Sequence, residues 1–140
     1  MPVDETDRKI IAALDRDASL GPKTIAKNLR MNESRVRKRI HALTKKNVIR
    51  LGIQVDSSQL GFKTEAWLCI DVEPSKIIEL GDKIPKIPGV RMVFWTTGEH
   101  DFVVVTWSAN RDALSKLVNQ FSALEGVNKV FPSVMVERLK

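Results

Sequence analysis

Residues Asn32–Lys46, NESRVRKRIHALTKK, constrain this chain more than any other stretch. Val36, Ile40 and Leu43 recur at the i, i+4, i+7 spacing of an amphipathic helix. Around that stripe stand Arg35, Arg37, Lys38, Arg39, Lys45 and Lys46, with a single acid, Glu33. Advancing about 100° per residue from the apolar side places Ser34, Lys38, His41 and Lys45 opposite the core, with Arg35 and Arg37 on the flanks. One face of this helix therefore closes a small core. The other is too poor in acids to neutralise itself by i,i+4 pairs, and it suits an anionic partner.

The preceding residues give the helix its setting. Asp4 is placed to cap a first helix carrying Ile10, Ile11 and Leu14, which stops near Asp15–Ala18. Gly21 and Pro22 read as the N-cap and first residue of a short second helix through Ile25, Ala26 and Leu29. Arg30 and Met31 make a turn, and Asn32 caps the cationic helix. Two helices joined by about 3 to 4 residues, with a small Ala26 where they cross, predict a helix-turn-helix.

Charge is divided unevenly along the chain. Residues 1–61 hold 13 Lys and Arg against 7 Asp and Glu, whereas residues 62–140 hold 10 of each. The net charge of +6 thus belongs wholly to the first part, the pattern of a nucleic-acid-binding module joined to one that binds no polyanion. Double-stranded DNA is the expected partner. No run has the length of a membrane span, and the outward side of the cationic helix lacks the apolar anchors of an interfacial helix. Cys69 is the only cysteine, which excludes an intrachain disulfide and suits a reducing compartment. With no signal-peptide pattern at the start, the expected location is cytoplasmic. His41 and His100 are the two histidines, and neither a metal-ligand cluster nor a glycine-rich phosphate loop is present, so no metal or cofactor is expected.

From Lys63 the pattern becomes βαββαβ. Thr64–Val72 alternates as a strand, Pro74 opens a helix that ends near Ile84, and strands over Val90–Thr97 and Phe102–Ser108 are joined across Gly98, Glu99, His100 and Asp101. A helix over Asp112–Leu124 and a strand over Val127–Val136 complete a ferredoxin-like arrangement. The strands MVFW and FVVVTW are apolar on both sides, and Trp67 and Cys69 lie opposite Ala66, Leu68, Ile70 and Val72. Two helices cover one sheet face; a second copy of the chain is the simplest cover for the other.

The order DETDRKIIAAL, TIAKNLRMNESRVRKRIHALTKKNVI and a strand ending VDSSQLGF resembles the leucine-responsive regulatory protein and asparagine-regulator (Lrp/AsnC) family of prokaryotic transcription factors. Gly21 with Pro22 departs from the family's ordinary helix residues at the start of helix two. The resemblance implies an α+β chain with a helix-turn-helix (winged-helix-like) DNA-binding domain over 1–48 and a linker over 49–61 containing a strand, Ile49–Val55. An effector-binding and oligomerisation domain over 62–140 would follow. It also implies homodimers, with tetramers or octamers as further assemblies.

Ser34, Arg35, Arg37 and Lys38 occupy the helix end that reaches bases in the major groove, and Lys45 is placed to neutralise phosphate. Arg39 stands in the family's V-x-x-R-I pattern and reads as a backbone contact or a structural anchor, while His41 reads as an ordinary exposed residue. The family's G-[D/E]-x-D turn, which lines an amino-acid effector pocket, is matched by Gly98, Glu99 and Asp101. His100 occupies its variable place, and Ser133 is a hydroxyl on the closing strand. The expected function is a sequence-specific transcriptional regulator modulated by an amino acid or related small molecule. The alternatives are an effector-independent architectural DNA-binding protein and an enzyme like the sirohaem decarboxylases. Enzymatic activity is not expected, because two histidines and no recognisable catalytic pair cannot serve a tetrapyrrole.

Overall fold

In the computed structural model, which describes residues 3–137 and 139, the first helix opens on a reciprocal cap. Asp4 accepts from the Asp7 N–H at 2.8 Å while Asp7 accepts from the Asp4 N–H at 3.2 Å, and α1 runs over Glu5–Arg16. Gly21 precedes α2, Pro22–Leu29, with Pro22 in the first turn, where a backbone N–H would have no helical partner. Arg30 ends α2 in the left-handed conformation, φ 52° and ψ 46°. The Met31 N–H returns to the Ala26 carbonyl at 2.8 Å, so α3, Glu33–Lys45, starts after only three residues. Ile10, Ala13, Leu14, Ile25, Ala26 and Val36 form the core of this unit, which ends at Gln54.

Residues 49–56 form no strand, contrary to the expectation for Ile49–Val55. Their alternation is real, but a strand exists through its ladder, and among the described residues of one chain nothing pairs with this segment. Ile53 is accordingly 91% exposed.

The second unit begins at Val55. After a 3-10 turn at Ser57–Leu60, β1 covers Thr64–Val72 and α4 covers Ile77–Lys83, flanked by 3-10 turns at Pro74–Lys76 and Ile84–Lys86. Then follow β2 (Val90–Trp95), β3 (Phe102–Ser108), α5 (Arg111–Ser122) and β4 (Val127–Val134). All pairings are antiparallel in the order β2-β3-β1-β4, the ferredoxin-like topology. β2 and β4 each end two residues before the sequence pattern suggests. The α5 start lies one residue earlier because Asn110, accepting from the Ala113 N–H at 2.9 Å, is its cap.

Strand alternation sorts the sheet into two faces. Ala66, Leu68, Ile70 and Val72 join Phe102 and Val104 against Leu80 and Ile84 from the α4 region and Leu114, Leu117 and Phe121 of α5. Thr106 is buried among them, its hydroxyl donating to the Ala66 carbonyl at 3.0 Å. The opposite face carries Trp67 and Cys69, flanked in register by Val103, Val105, Met92 and Phe94 on one side and by Phe131 and Ser133 on the other. Among the described residues no element of the same unit covers it: Trp67 and Phe94 are each 50% exposed and Met92 55%.

Candidate functional site

The cationic surface is built by the α3 cap and its buried stripe. Asn32 Oδ1 accepts from the Ser34 N–H at 2.8 Å and from the Ser34 hydroxyl at 2.7 Å, fixing the first turn. Val36 and Leu43 are buried, which turns Ser34, Arg35, Arg37, Lys38, His41 and Lys45 outward, and all six are exposed. The predicted DNA-contacting group is therefore brought to one surface, with one exception and one addition.

The exception is Arg39. Its guanidinium lies 2.6 Å from Asp4 Oδ2 and 2.8 Å from Asp7 Oδ1, with the side chain 21% exposed. Both capping acids of α1 hold it, so of the two roles the sequence left open the structure favours the anchor, and Arg39 is withdrawn from the phosphate-contacting set. The Asp7 backbone N–H, followed by the Arg39 guanidinium, pulls the Asp4 carboxyl below its ordinary value; the two acids raise that of Arg39. The addition is Glu33, which sequence reasoning passed over: its carboxylate is 2.6 Å from Arg37 Nη2. The i,i+4 spacing was the signal that could have found it.

In the second unit the Gly98–Asp101 turn is held by its backbone and by one acid. Gly98 has φ +120°, a conformation for which the absence of a side chain is required. The Thr96 N–H donates to the Asp101 carbonyl at 2.8 Å and the Thr96 hydroxyl to the His100 carbonyl at 2.7 Å. Asp101 is tied to β1 twice, through its N–H to the Ile70 carbonyl at 3.1 Å and through Oδ2, which accepts from the Val72 N–H at 2.9 Å. Among the described residues, no backbone carbonyl accepts from the N–H groups of Gly98, Glu99 or His100.

Beside the turn, His100 Nδ1 is 2.7 Å from Asp71 Oδ1, and its ring lies 4.9 Å from that of Phe131. Lys129 Nζ stands 4.9 Å from the Phe131 ring. Asp71, Lys129 and Phe131 were missed because only strand register reveals which strand ends adjoin the turn. Ser133 is not brought to this cluster. It pairs with Trp67, four residues along β1 from Asp71, about 13 Å away at strand spacing. Elsewhere, an apolar groove of about 310 Å³ opens between α4 and β2, lined by Ile77, Ile78, Gly81, Val93 and Trp95. Among the described residues no three His, Cys, Asp or Glu side chains are grouped to hold a metal, and no helix is long and apolar enough to cross a membrane.

Comparison with known proteins assigns both units. The AsnC-type helix-turn-helix domain matches residues 3–44, and the Lrp/AsnC ligand binding domain matches residues 65–140. The chain is 33% identical over 140 residues to the HTH-type transcriptional regulator LrpA of Pyrococcus abyssi, covering 99% of each. The feast or famine regulatory protein of M. tuberculosis complexed with L-methionine superposes with a TM-score of 0.85 at 17% identity, over 99% of this chain and 95% of that one. A Neisseria meningitidis transcriptional regulator in complex with L-Met gives 0.86 at 18% identity, over 99% and 93%. At these identities the two structures bear on the fold alone.

Proposed function

This chain belongs to the Lrp/AsnC family of DNA-binding transcriptional regulators, and from that membership we propose that α3 is its DNA-reading element, used through Ser34, Arg35, Arg37, Lys38 and Lys45. The observation that carries the proposal is the shared exposure of these five residues on a helix whose start is fixed by a three-residue turn. The N-terminal end enters the major groove, where arginine forks onto guanine O6 and N7, and the remaining cations neutralise phosphates. Each phosphate neutralised steepens the fall of log affinity with log salt by about 0.9. The test is a Ser34, Arg35, Arg37 and Lys38 quadruple alanine variant, compared with the wild type by gel shift on duplexes that the wild type selects from random sequence. Loss of retardation with unchanged thermal unfolding is expected. Unchanged affinity in the folded variant would refute the assignment.

The DNA-binding region is read as 1–48, the linker as 49–61 and the effector-binding and oligomerisation region as 62–140. A homodimer through the open sheet face is supported by the exposure of Trp67, Met92 and Phe94, an apolar surface that a second copy would cover. A second chain also offers segment 49–55 the ladder partner that one chain lacks. The effector is read as an amino acid, the class of molecule bound in the two L-methionine complexes. The unpaired N–H groups of Gly98, Glu99 and His100 suit a ligand carboxylate. Asp101 shapes the turn through Oδ2, which accepts from Val72, and its second carboxylate oxygen can still receive the ligand's ammonium. No catalytic role is assigned: His41 is exposed on α3, and His100 is bonded to Asp71 in the other unit.

A further inference from the structure

Glu33 is the only acid on a helix that presents four exposed cationic residues, Arg35, Arg37, Lys38 and Lys45, and it lies at the N-terminal end, read above as the end that enters the groove. Its contact with Arg37 is short, 2.6 Å, although both side chains are well exposed, at 41% and 66%. An exposed i,i+4 pair adds little to helix stability, and an acid in the first turn of α3 could be placed there for the helix dipole alone. Neither reason requires the acid to hold an arginine of the DNA-reading set.

We infer that Glu33 is a positioning residue that sets the sequence discrimination of Arg37, an inference that rests on the DNA-reading role of α3. A guanidinium has five N–H donors. With one held by Glu33, enough remain to fork onto guanine O6 and N7, which are neutral acceptors, so the ion pair and the base contact coexist. A phosphate is different. To neutralise it, Arg37 must leave Glu33 or bring a carboxylate and a phosphate together around one cation. The pair thus lowers the gain from arbitrary DNA and leaves the gain from a guanine nearly intact. Sequence discrimination is the ratio of the two.

The test uses the full chain with two probes, a duplex selected by the wild type from random sequence and an unrelated duplex of equal length, each titrated across salt concentrations. For Glu33→Gln, affinity for the unrelated duplex should rise by up to about eightfold at 0.1 M salt, with its log–log salt slope steeper by about 0.9, the contribution of one more phosphate. Affinity for the selected duplex should change little, so the specificity ratio falls by the same factor. In an Arg37→Ala background the same substitution should have no effect. Glu33→Asp, which keeps the charge in the first turn but shortens the reach to Arg37, should behave like Gln. An unchanged ratio in Glu33→Gln would overturn the inference. So would an equal effect with and without Arg37, because Glu33 would then act through its own charge. Failure of the wild type to prefer any duplex would defeat the DNA-reading role itself, a result distinct from a silent Glu33.

Discussion

Replacing Trp67 by alanine tests how the open sheet face is used. Trp67 is central to that face and 50% exposed in the single chain. A tryptophan buries about 150–250 Å², so about 75–125 Å² per chain remains to be covered by a partner. At about 25 cal/mol per Å² this amounts to about 2–3 kcal/mol. In a two-fold dimer the same residue is lost from both sides, doubling the penalty to about 4–6 kcal/mol. Every 1.4 kcal/mol is about a factor of ten, so the dimer dissociation constant should rise by about 10³ to 10⁴ as an upper bound. Sedimentation velocity over a nanomolar to micromolar dilution series reads this directly. The wild type should remain dimeric where the variant is monomeric, while both keep the same far-ultraviolet circular dichroism. A variant that dimerises as tightly as the wild type would show that the face around Trp67 is not the interface, and the argument from uncovered apolar surface would fall.

Substitutions at two further positions probe the ties that hold the units in shape. Asp4 has its folded-state pKa drawn below 3.8, so its contribution to stability is fully present above about pH 4 and disappears as pH falls through the lower folded value. Thermal unfolding of the wild type should therefore shift downward between pH 5 and pH 2; Arg39→Ala should melt lower at pH 7 and show a smaller downward shift, and identical pH profiles would remove the anchor role. Asp101→Ala leaves the Val72 N–H without its acceptor, at a cost of about 1–3 kcal/mol in urea unfolding, whereas Asp101→Asn retains an acceptor oxygen and should recover most of it. Equal stability of the two variants would mean that the carboxylate does not hold the turn.

The parts of this chain that were legible beforehand are those fixed by neighbours in sequence. Asp4, Gly21–Pro22 and Asn32 announce helix starts because a cap acts within three residues, and the alternation of Ala66, Leu68 and Ile70 against Trp67 and Cys69 announces two faces because side-chain direction in a strand has period two. Arg39 was only half legible. Its place in the V-x-x-R-I pattern suggested a backbone contact or an anchor, but the acids that bind it lie 35 and 32 residues away, at the cap of another helix. The grouping of Asp71, His100 and Phe131 needed the register of β1 with β4 and the position of the hairpin end, neither of which local periodicity carries. The 49–55 segment forms no strand in the single chain for the opposite reason: its pattern is that of a strand, but pattern supplies no partner.

The bonding of the Gly98–Asp101 turn divides labour among adjacent residues. Its path is set by the φ of Gly98, by backbone carbonyls that accept from Thr96, and by Asp101 reaching β1. None of these ties uses the side chain of Glu99, and the bond at residue 100 that shapes the turn runs through its carbonyl. Position 99 is therefore open to exchange on a loop that keeps its course, whereas the His100 side chain bonds Asp71 and lies against Phe131. A collection of variants at position 99 would present different chemistry from one unchanged frame, and it would show whether the turn takes part in a ligand response without rebuilding the protein around it.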